Sequence, residues 1–165
     1  MPSRTALTAL AAAAAGAALP ALYATALRTK LRSDATALME GNPGPLLSAY
    51  ADDATLTFPG ASSWGREYRG KREIEGFVTR FLAAGIRGEA EQIVVNGPPW
   101  NMTVAVRFND WAKDLEGNTV YTNRAVLFAR VAWGKIKQEE VYEDTEKATA
   151  FDDYLNSVGA PAAVS

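Results

Sequence analysis

The second half of the chain is a run rich in β-branched and aromatic residues, and it constrains the fold more than any other feature. Residues 103–144 read TVAVRFNDWAKDLEGNTVYTNRAVLFARVAWGKIKQEEVYED. Turn residues around Gly117 and Gly134 divide the run into three long strands, which are predicted to pair as an antiparallel meander. Because strands twist, such a meander curls, and a helix against its concave face would enclose a conical cavity. That cavity is where a small-molecule function is sought.

The flanking segments carry alternating helical and extended patterns. Helices are predicted over residues 28–39, 45–51, 71–85 and 145–159. Strands are predicted over residues 55–58 and 89–96, with a loop over 61–70. The order predicts an α+β fold, a curved and mostly antiparallel sheet with helices closing a conical pocket. The pair Asp52 and Asp53 is interpreted as turn chemistry after the second helix.

The chain contains neither cysteine nor histidine among its 165 residues. Disulfides, thiolate or imidazole metal ligands and a Ser-His-Asp triad are therefore excluded. Acid–base chemistry would have to use Asp, Glu, Tyr or Lys side chains. The net charge is −2 and basic residues are scattered, so no nucleic-acid partner is expected. No nucleotide or flavin motif is present, and no cofactor or metal is predicted.

Residues 1–27 form an Ala-rich, apolar N-terminal segment, and residues 5–27 carry no charged side chain. Three interpretations remain open: a membrane anchor, a cleaved export signal, or an extension of the first helix. Membrane association with the domain in the cytoplasm is preferred, with export or a soluble cytoplasmic protein as alternatives. The folded domain is predicted over residues 28–159, with residues 160–165 as a tail, and the N-terminal segment is expected to be dispensable for folding.

Several short motifs follow one another through the domain: YADDA, YRGK, an Asn-Arg pair, WGKI and YEDT. Between Leu38 and Thr145 this set resembles the SnoaL-like branch of the nuclear transport factor 2-like superfamily. The resemblance implies the conical fold and, commonly, dimers formed through the sheet. The carboxylates of the epoxide hydrolases in this superfamily would fall at Asn109 and Val141, so that activity is not expected.

The resemblance leaves two kinds of function open. The first is a small-molecule-binding or accessory module with an apolar conical pocket, tethered to a membrane by its N-terminal helix. The alternative is a cofactor-independent isomerase, cyclase or hydratase that acts on an apolar, steroid- or polyketide-like substrate. Whether the protein is an enzyme is not decided by the residues.

Strand alternation allows two choices for the cavity wall. The resemblance turns inward Arg107, Asn109, Glu139 and Val141. The apolar residues alone would instead turn inward Val104, Val106 and Phe108. The first choice is preferred, which places the second set on a sheet face that a second copy or a partner protein would cover.

The catalytic candidates under this choice are Glu139, as a base with a pKa raised by burial, and Arg107. An Arg107–Glu139 ion pair with a structural role is the competing interpretation. The ligand-binding candidates are Asn109, Trp111, Tyr121, Asn123 and Trp64, the last in a loop at the pocket mouth. An apolar small molecule is the expected ligand.

Overall fold

The computed structural model describes the backbone of residues 4–160 and the side chains of residues 20–160. Within that range the helices are α1 (Arg4–Met39), α2 (Gly44–Ala49), α3 (Lys71–Ala83) and α4 (Thr145–Ser157). The strands are β1 (Tyr50–Thr57), β2 (Glu67–Arg69), β3 (Arg87–Asn96), β4 (Met102–Lys113), β5 (Thr119–Ala132) and β6 (Lys135–Glu143).

The strands form one sheet in the order β2-β1-β6-β5-β4-β3. Strands β3 to β6 are the predicted antiparallel meander, whereas β1 pairs with β6 in parallel and with β2 antiparallel. Across the meander, Val106 lies beside Leu127 and Leu127 beside Val141, so one face carries a continuous apolar surface. The predicted α+β class with a curved, mostly antiparallel sheet is confirmed.

Helices α3 and α4 form for reasons that are local in the sequence. Helix α3 is amphipathic and buries Ile74 and Val78 on the side facing the sheet. Helix α4 begins at Asp144, whose side chain accepts hydrogen bonds from the backbone N–H groups of Glu146 and Lys147. This N-cap satisfies amide groups that have no partner within the helix.

Helix α1 is continuous from Arg4 to Met39, so it extends well beyond the predicted start at residue 28. Ala24 and Leu27 lie in the hydrophobic core, and Tyr23 packs against it. The N-terminal segment that was expected to be dispensable for folding therefore contributes side chains to the core. Among residues with described side chains, no helix has the length and apolar character needed to cross a membrane. The anchor and signal interpretations concern residues 5–27, and the side chains of residues 5–19 lie outside the described residues. The predicted tail, residues 160–165, also lies outside them apart from residue 160.

Strand β1 differs from its prediction because it starts at Tyr50 rather than Thr55. Asp52 and Asp53 are consequently exposed strand residues, not turn residues, and Asp53 forms an ion pair with Lys137 at 3.1 Å. The predicted loop over 61–70 contains the short strand β2. Parallel pairing with β6 extends β1, and a pairing so distant in sequence leaves no local pattern.

Candidate functional site

An apolar cavity of about 140 Å³ lies against the concave face of the sheet, under α1 and α3. Side chains from β1, β4, β5 and β6 line its wall, and Leu31 of α1 and Phe77 of α3 face them. The polar groups in this wall are few: Tyr50, Asp110, Glu139 and Glu143. Such a cavity, apolar with a few placed polar groups, is typical of a small-molecule site.

Strand β4 presents its apolar side chains to the cavity. Val104, Val106 and Phe108 line it, and the alternation of the strand turns Arg107 and Asn109 to the outer face. The predicted choice of face for β4 is therefore wrong. The physical reason is that burying three large apolar side chains is favourable, whereas an arginine in this wall would lose its hydration.

The predicted Arg107–Glu139 pair does not form. Arg107 lies on the outer face, with its side chain 53% exposed, and its Nε is 2.6 Å from Glu91 of β3. The side-chain amide of Asn109 donates to the same carboxylate. Trp111 shares the outward parity of Arg107 and does not line the cavity. Strand β3, which supplies the actual partner of Arg107, was left out of the predicted site.

Glu139 and Val141 face the cavity as predicted. Glu139 is 7% exposed, and its partner is Tyr50, whose hydroxyl donates to Oε2 at 2.7 Å. Burial raises the pKa of Glu139, and the hydrogen bond from Tyr50 opposes that shift in part. Tyr50 was not predicted as a site residue, because the helical pattern of PLLSAYA places it in the second helix rather than at the start of β1.

A second cluster of polar side chains lies at one end of the cavity. It consists of Asp110 of β4, Tyr121 and Asn123 of β5, and Glu143 of β6. Asp110 lies opposite Asn123 in the β4–β5 register. The Asn123 amide donates to the Glu143 carboxylate at 3.2 Å, to the Tyr121 hydroxyl at 3.2 Å and to the Asp144 carbonyl at 3.0 Å. Tyr121 and Asn123 therefore face inward, as predicted, and Asn123 positions Glu143.

The Asp110–Glu143 pair has free hydrogen-bonding capacity. Oδ1 of Asp110 and Oε1 of Glu143 are buried and have no hydrogen-bond partner among the described residues. Buried carboxyl oxygens without partners are rare, and they are expected where a site acts on a ligand. Neither carboxyl was a predicted site residue. The available signal was the apolar face of β4, since the alternation that turns Phe108 inward also turns Asp110 inward.

The two carboxyls differ in their affinity for protons. Burial raises the pKa of Asp110 to about 6. Burial, and secondly the nearby Asp110 charge, raises the pKa of Glu143 to about 8. Near neutral pH, Asp110 is therefore mostly ionised while Glu143 keeps its proton. Two carboxyls with separated pKa values are the arrangement that general base and general acid catalysis requires.

A SnoaL-like domain profile matches residues 32–139 of the chain. The chain belongs to the SnoaL-like family. This result confirms the resemblance carried by the short motifs. None of the curated protein sequences compared with the chain matches it.

Several solved structures share the fold of this SnoaL-like domain. Bal32a, from a soil-derived mobile gene cassette, is 14% identical, with 78% of this chain and 97% of Bal32a covered, at a TM-score of 0.64. An NTF2-like protein of unknown function from Burkholderia pseudomallei is 18% identical (74% and 93% covered, TM-score 0.62). A candidate polyketide cyclase from Pseudomonas putida is 20% identical (76% and 95% covered, TM-score 0.56). These likenesses show a shared nuclear transport factor 2-like fold.

A small pocket of about 20 Å³ adjoins the Asp110–Glu143 end of the SnoaL-like cavity. Asp110, Glu143 and Tyr121 line it together with Trp64. Its volume is sufficient for one water molecule. Trp64, predicted at the pocket mouth, is buried here, so it forms part of the inner wall rather than an exposed lid.

The loop that carries Trp64 is fixed by polar contacts to both neighbouring helices. The Arg80 guanidinium of α3 lies 4.4 Å from the centre of the Trp64 ring and donates to the Ser63 hydroxyl at 2.8 Å. Ser63 in turn donates from its hydroxyl to Asp152 of α4 at 2.6 Å. The inner end of the SnoaL-like cavity is therefore rigidly built. Over the described residues, no group of three or more carboxylates is arranged to hold a metal ion.

Proposed function

We propose that this SnoaL-like protein is a cofactor-independent acid–base enzyme of the isomerase, cyclase or hydratase kind that acts on an apolar carbonyl compound. The observation that carries the proposal is the Asp110–Glu143 pair at the end of an apolar cavity. The pair has one unpartnered oxygen on each carboxyl, and the two pKa values fall on either side of neutrality. The name of the Pseudomonas putida neighbour supports the same kind of chemistry.

The pair would transfer protons as follows. Ionised Asp110 takes a proton from the carbon next to the substrate carbonyl, and the electron pair of that C–H bond moves into a carbon–carbon double bond. The carbonyl oxygen takes the proton of neutral Glu143, giving an enol. Asp110 then returns its proton to the same or another carbon, and the enol O–H returns its proton to Glu143. The carbonyl re-forms, both carboxyls are restored, and the exchange or isomerisation is complete. Each positioned acid or base contributes roughly 10²–10⁴-fold to such a rate.

The other predicted site residues take different places in this proposal. Tyr121 and Asn123 hold the pair in position, and Trp64 closes the inner wall. Glu139, predicted as the base, is already bonded to Tyr50, and we propose that it contacts the ligand instead. Arg107, Asn109 and Trp111 lie on the outer face and have no part in the proposed chemistry.

Deuterium exchange into 2-tetralone, an apolar bicyclic ketone, tests the proposal directly. In deuterated buffer the wild-type protein should accelerate exchange at the carbon beside the carbonyl, measured by mass spectrometry. Asp110→Asn should lower the rate at least about 100-fold because the base is lost. The matched control is Asp153→Asn, which changes an exposed carboxylate on α4 and should leave the rate unaltered.

The same experiment separates catalysis from a second candidate function, a binding or accessory module. That candidate is favoured by the wall itself, which is apolar over most of its surface and would hold a hydrophobic ligand without reacting. Exchange at the buffer rate while the protein measurably binds 2-tetralone would contradict the enzyme and support the binding module.

A further inference from the structure

Tyr50 and Glu139 form a polar pair in the cavity wall away from the Asp110–Glu143 end. Both side chains are almost completely buried and both line the cavity. In the sheet, Glu139 lies opposite Ala129, whereas Glu143 lies opposite Ala125. The two carboxyls therefore lie on the same side of β6, four residues apart, with Val141 between them.

Stability alone does not account for this pair. A buried carboxyl without a cation loses hydration, and replacement of both partners by apolar groups of the same shape is often neutral or stabilising. Among the described residues, Glu139 has no ion-pair partner, and its hydrogen bond is the one from Tyr50. Burial raises the pKa of Glu139, and a protonated carboxyl can donate a hydrogen bond to a ligand oxygen, as the Tyr50 hydroxyl also can.

The spacing along β6 sets the length of a ligand that would reach both polar ends. At about 3.3 Å per residue, Glu139 and Glu143 are roughly 13 Å apart, and strand side chains stand nearly perpendicular to the backbone. A hydrogen bond of about 2.8 Å at each end leaves roughly 7 Å between two ligand oxygens. This length is comparable with the separation of hydroxyl groups at opposite ends of a naphthalene skeleton.

We propose that Tyr50 and Glu139 form a second subsite, which binds a carbonyl or hydroxyl oxygen at the far end of an elongated, ring-containing apolar ligand. The assignment rests on the proposed function in one respect, since it takes the Asp110–Glu143 end as the reacting end. The apolar residues between the ends, Val106, Leu127 and Val141, would contact the rings. The substrate class is therefore a flat apolar skeleton with oxygen at both ends.

Fluorescence titration with two matched probes tests the subsite. The wild-type protein should bind 2,6-dihydroxynaphthalene about tenfold more tightly than 2-naphthol, the fold-change expected for one further hydrogen bond. In the double variant Tyr50→Phe with Glu139→Leu, this preference should fall to near one. The double change leaves no orphaned hydroxyl, and thermal melting checks that the variant is folded.

One control variant separates the subsite from the reacting end of the cavity. Asp110→Asn should retain the preference for the diol, because it leaves the subsite intact. Equal affinity of the wild-type protein for the two probes, including no binding of either, would overturn the subsite, and so would an unchanged preference in the folded double variant. Absence of 2-tetralone exchange in the wild-type protein, together with a preference for the diol, would count against the proposed reaction alone.

Discussion

Buried carboxyls carry the proposed chemistry, and their titration connects the proposed site to the stability of the fold. Asp110 and Glu143 both hold protons more tightly in the folded chain than in the unfolded one. A group with a raised pKa stabilises the fold below its unfolded pKa, and that contribution is lost as the pH rises through the folded pKa. For Glu143 this window runs from its ordinary value of 4.5 to about 8.

Glu143→Gln should therefore change the pH dependence of stability. Near pH 4 the variant and the wild-type protein should have similar free energies of unfolding, since the carboxyl is neutral in both states. Near pH 9 the variant should be more stable by roughly 1–3 kcal/mol, because a buried charge has been removed. Denaturant unfolding across this range measures the effect. Glu75→Gln, at an exposed position on α3, is the control, and parallel curves for Glu143→Gln and wild type would contradict the burial of this charge.

Residue-scale prediction from the sequence succeeds on β6 and fails on β4. Alternation correctly groups the residues of each strand into two faces, but it does not decide which face is buried. For β4 the motif-based choice turned Arg107 inward, although Val106 and Phe108 carried the stronger physical signal. The bond between Tyr50 and Glu139 joins residues far apart in the chain, so no local pattern predicts it.

At the scale of elements, α1 has the largest difference between sequence expectation and structure. A local helical pattern identifies its second half, whereas the packing of Leu27 against the core depends on the tertiary fold. Helices α3 and α4 and the long strands were predictable because their apolar periodicity and turn glycines are local. Strand β2 has only three residues, too few for a periodic pattern.

Leu27→Ala tests whether α1 is part of the folded domain. The side chain is 6% exposed, so its truncation should lower the free energy of unfolding by roughly 2–5 kcal/mol. Leu22→Ala, in the same helix but 65% exposed, should change it by less than about 0.5 kcal/mol. Chemical denaturation of both variants makes the comparison. Equal effects would mean that α1 does not pack on the domain in solution. The role of residues 5–27 at a membrane stays a prediction.

For the whole molecule, the outer face of the sheet is where we propose that a partner binds. The former expectation placed Phe108 on this face, but Phe108 lines the cavity. The exposed apolar side chains there are Val94, Val126, Phe128 and Tyr142. They occupy two adjacent rows of the sheet, which also hold Arg107 and Glu140. Exposed apolar side chains grouped in this way among polar ones can mark an interface.

We propose that a second copy of the chain covers this face, because a twofold contact places the same patch against itself. Phe128→Glu should then convert a dimer into a monomer without loss of the folded state, measured by sedimentation and circular dichroism. Leu115→Glu, at the fully exposed β4–β5 turn, should leave the mass unchanged. A wild-type protein that sediments as a monomer at every concentration tested would refute the interface.

The parallel pairing of β1 with β6 has a consequence for the order in which the strands of the sheet fold. Short turns join strands β3 to β6, so these strands can pair early in folding. Leu56 of β1 can pair only when Glu139 of β6, far along the chain, has come to lie beside it. Closing so long a loop is entropically costly, and contacts of high sequence separation slow folding. On the ribosome, β1 emerges well before its β6 neighbour has been synthesised. We therefore expect the cavity to be completed last, so that a ligand stabilises only chains that have already formed the β1–β6 pairing.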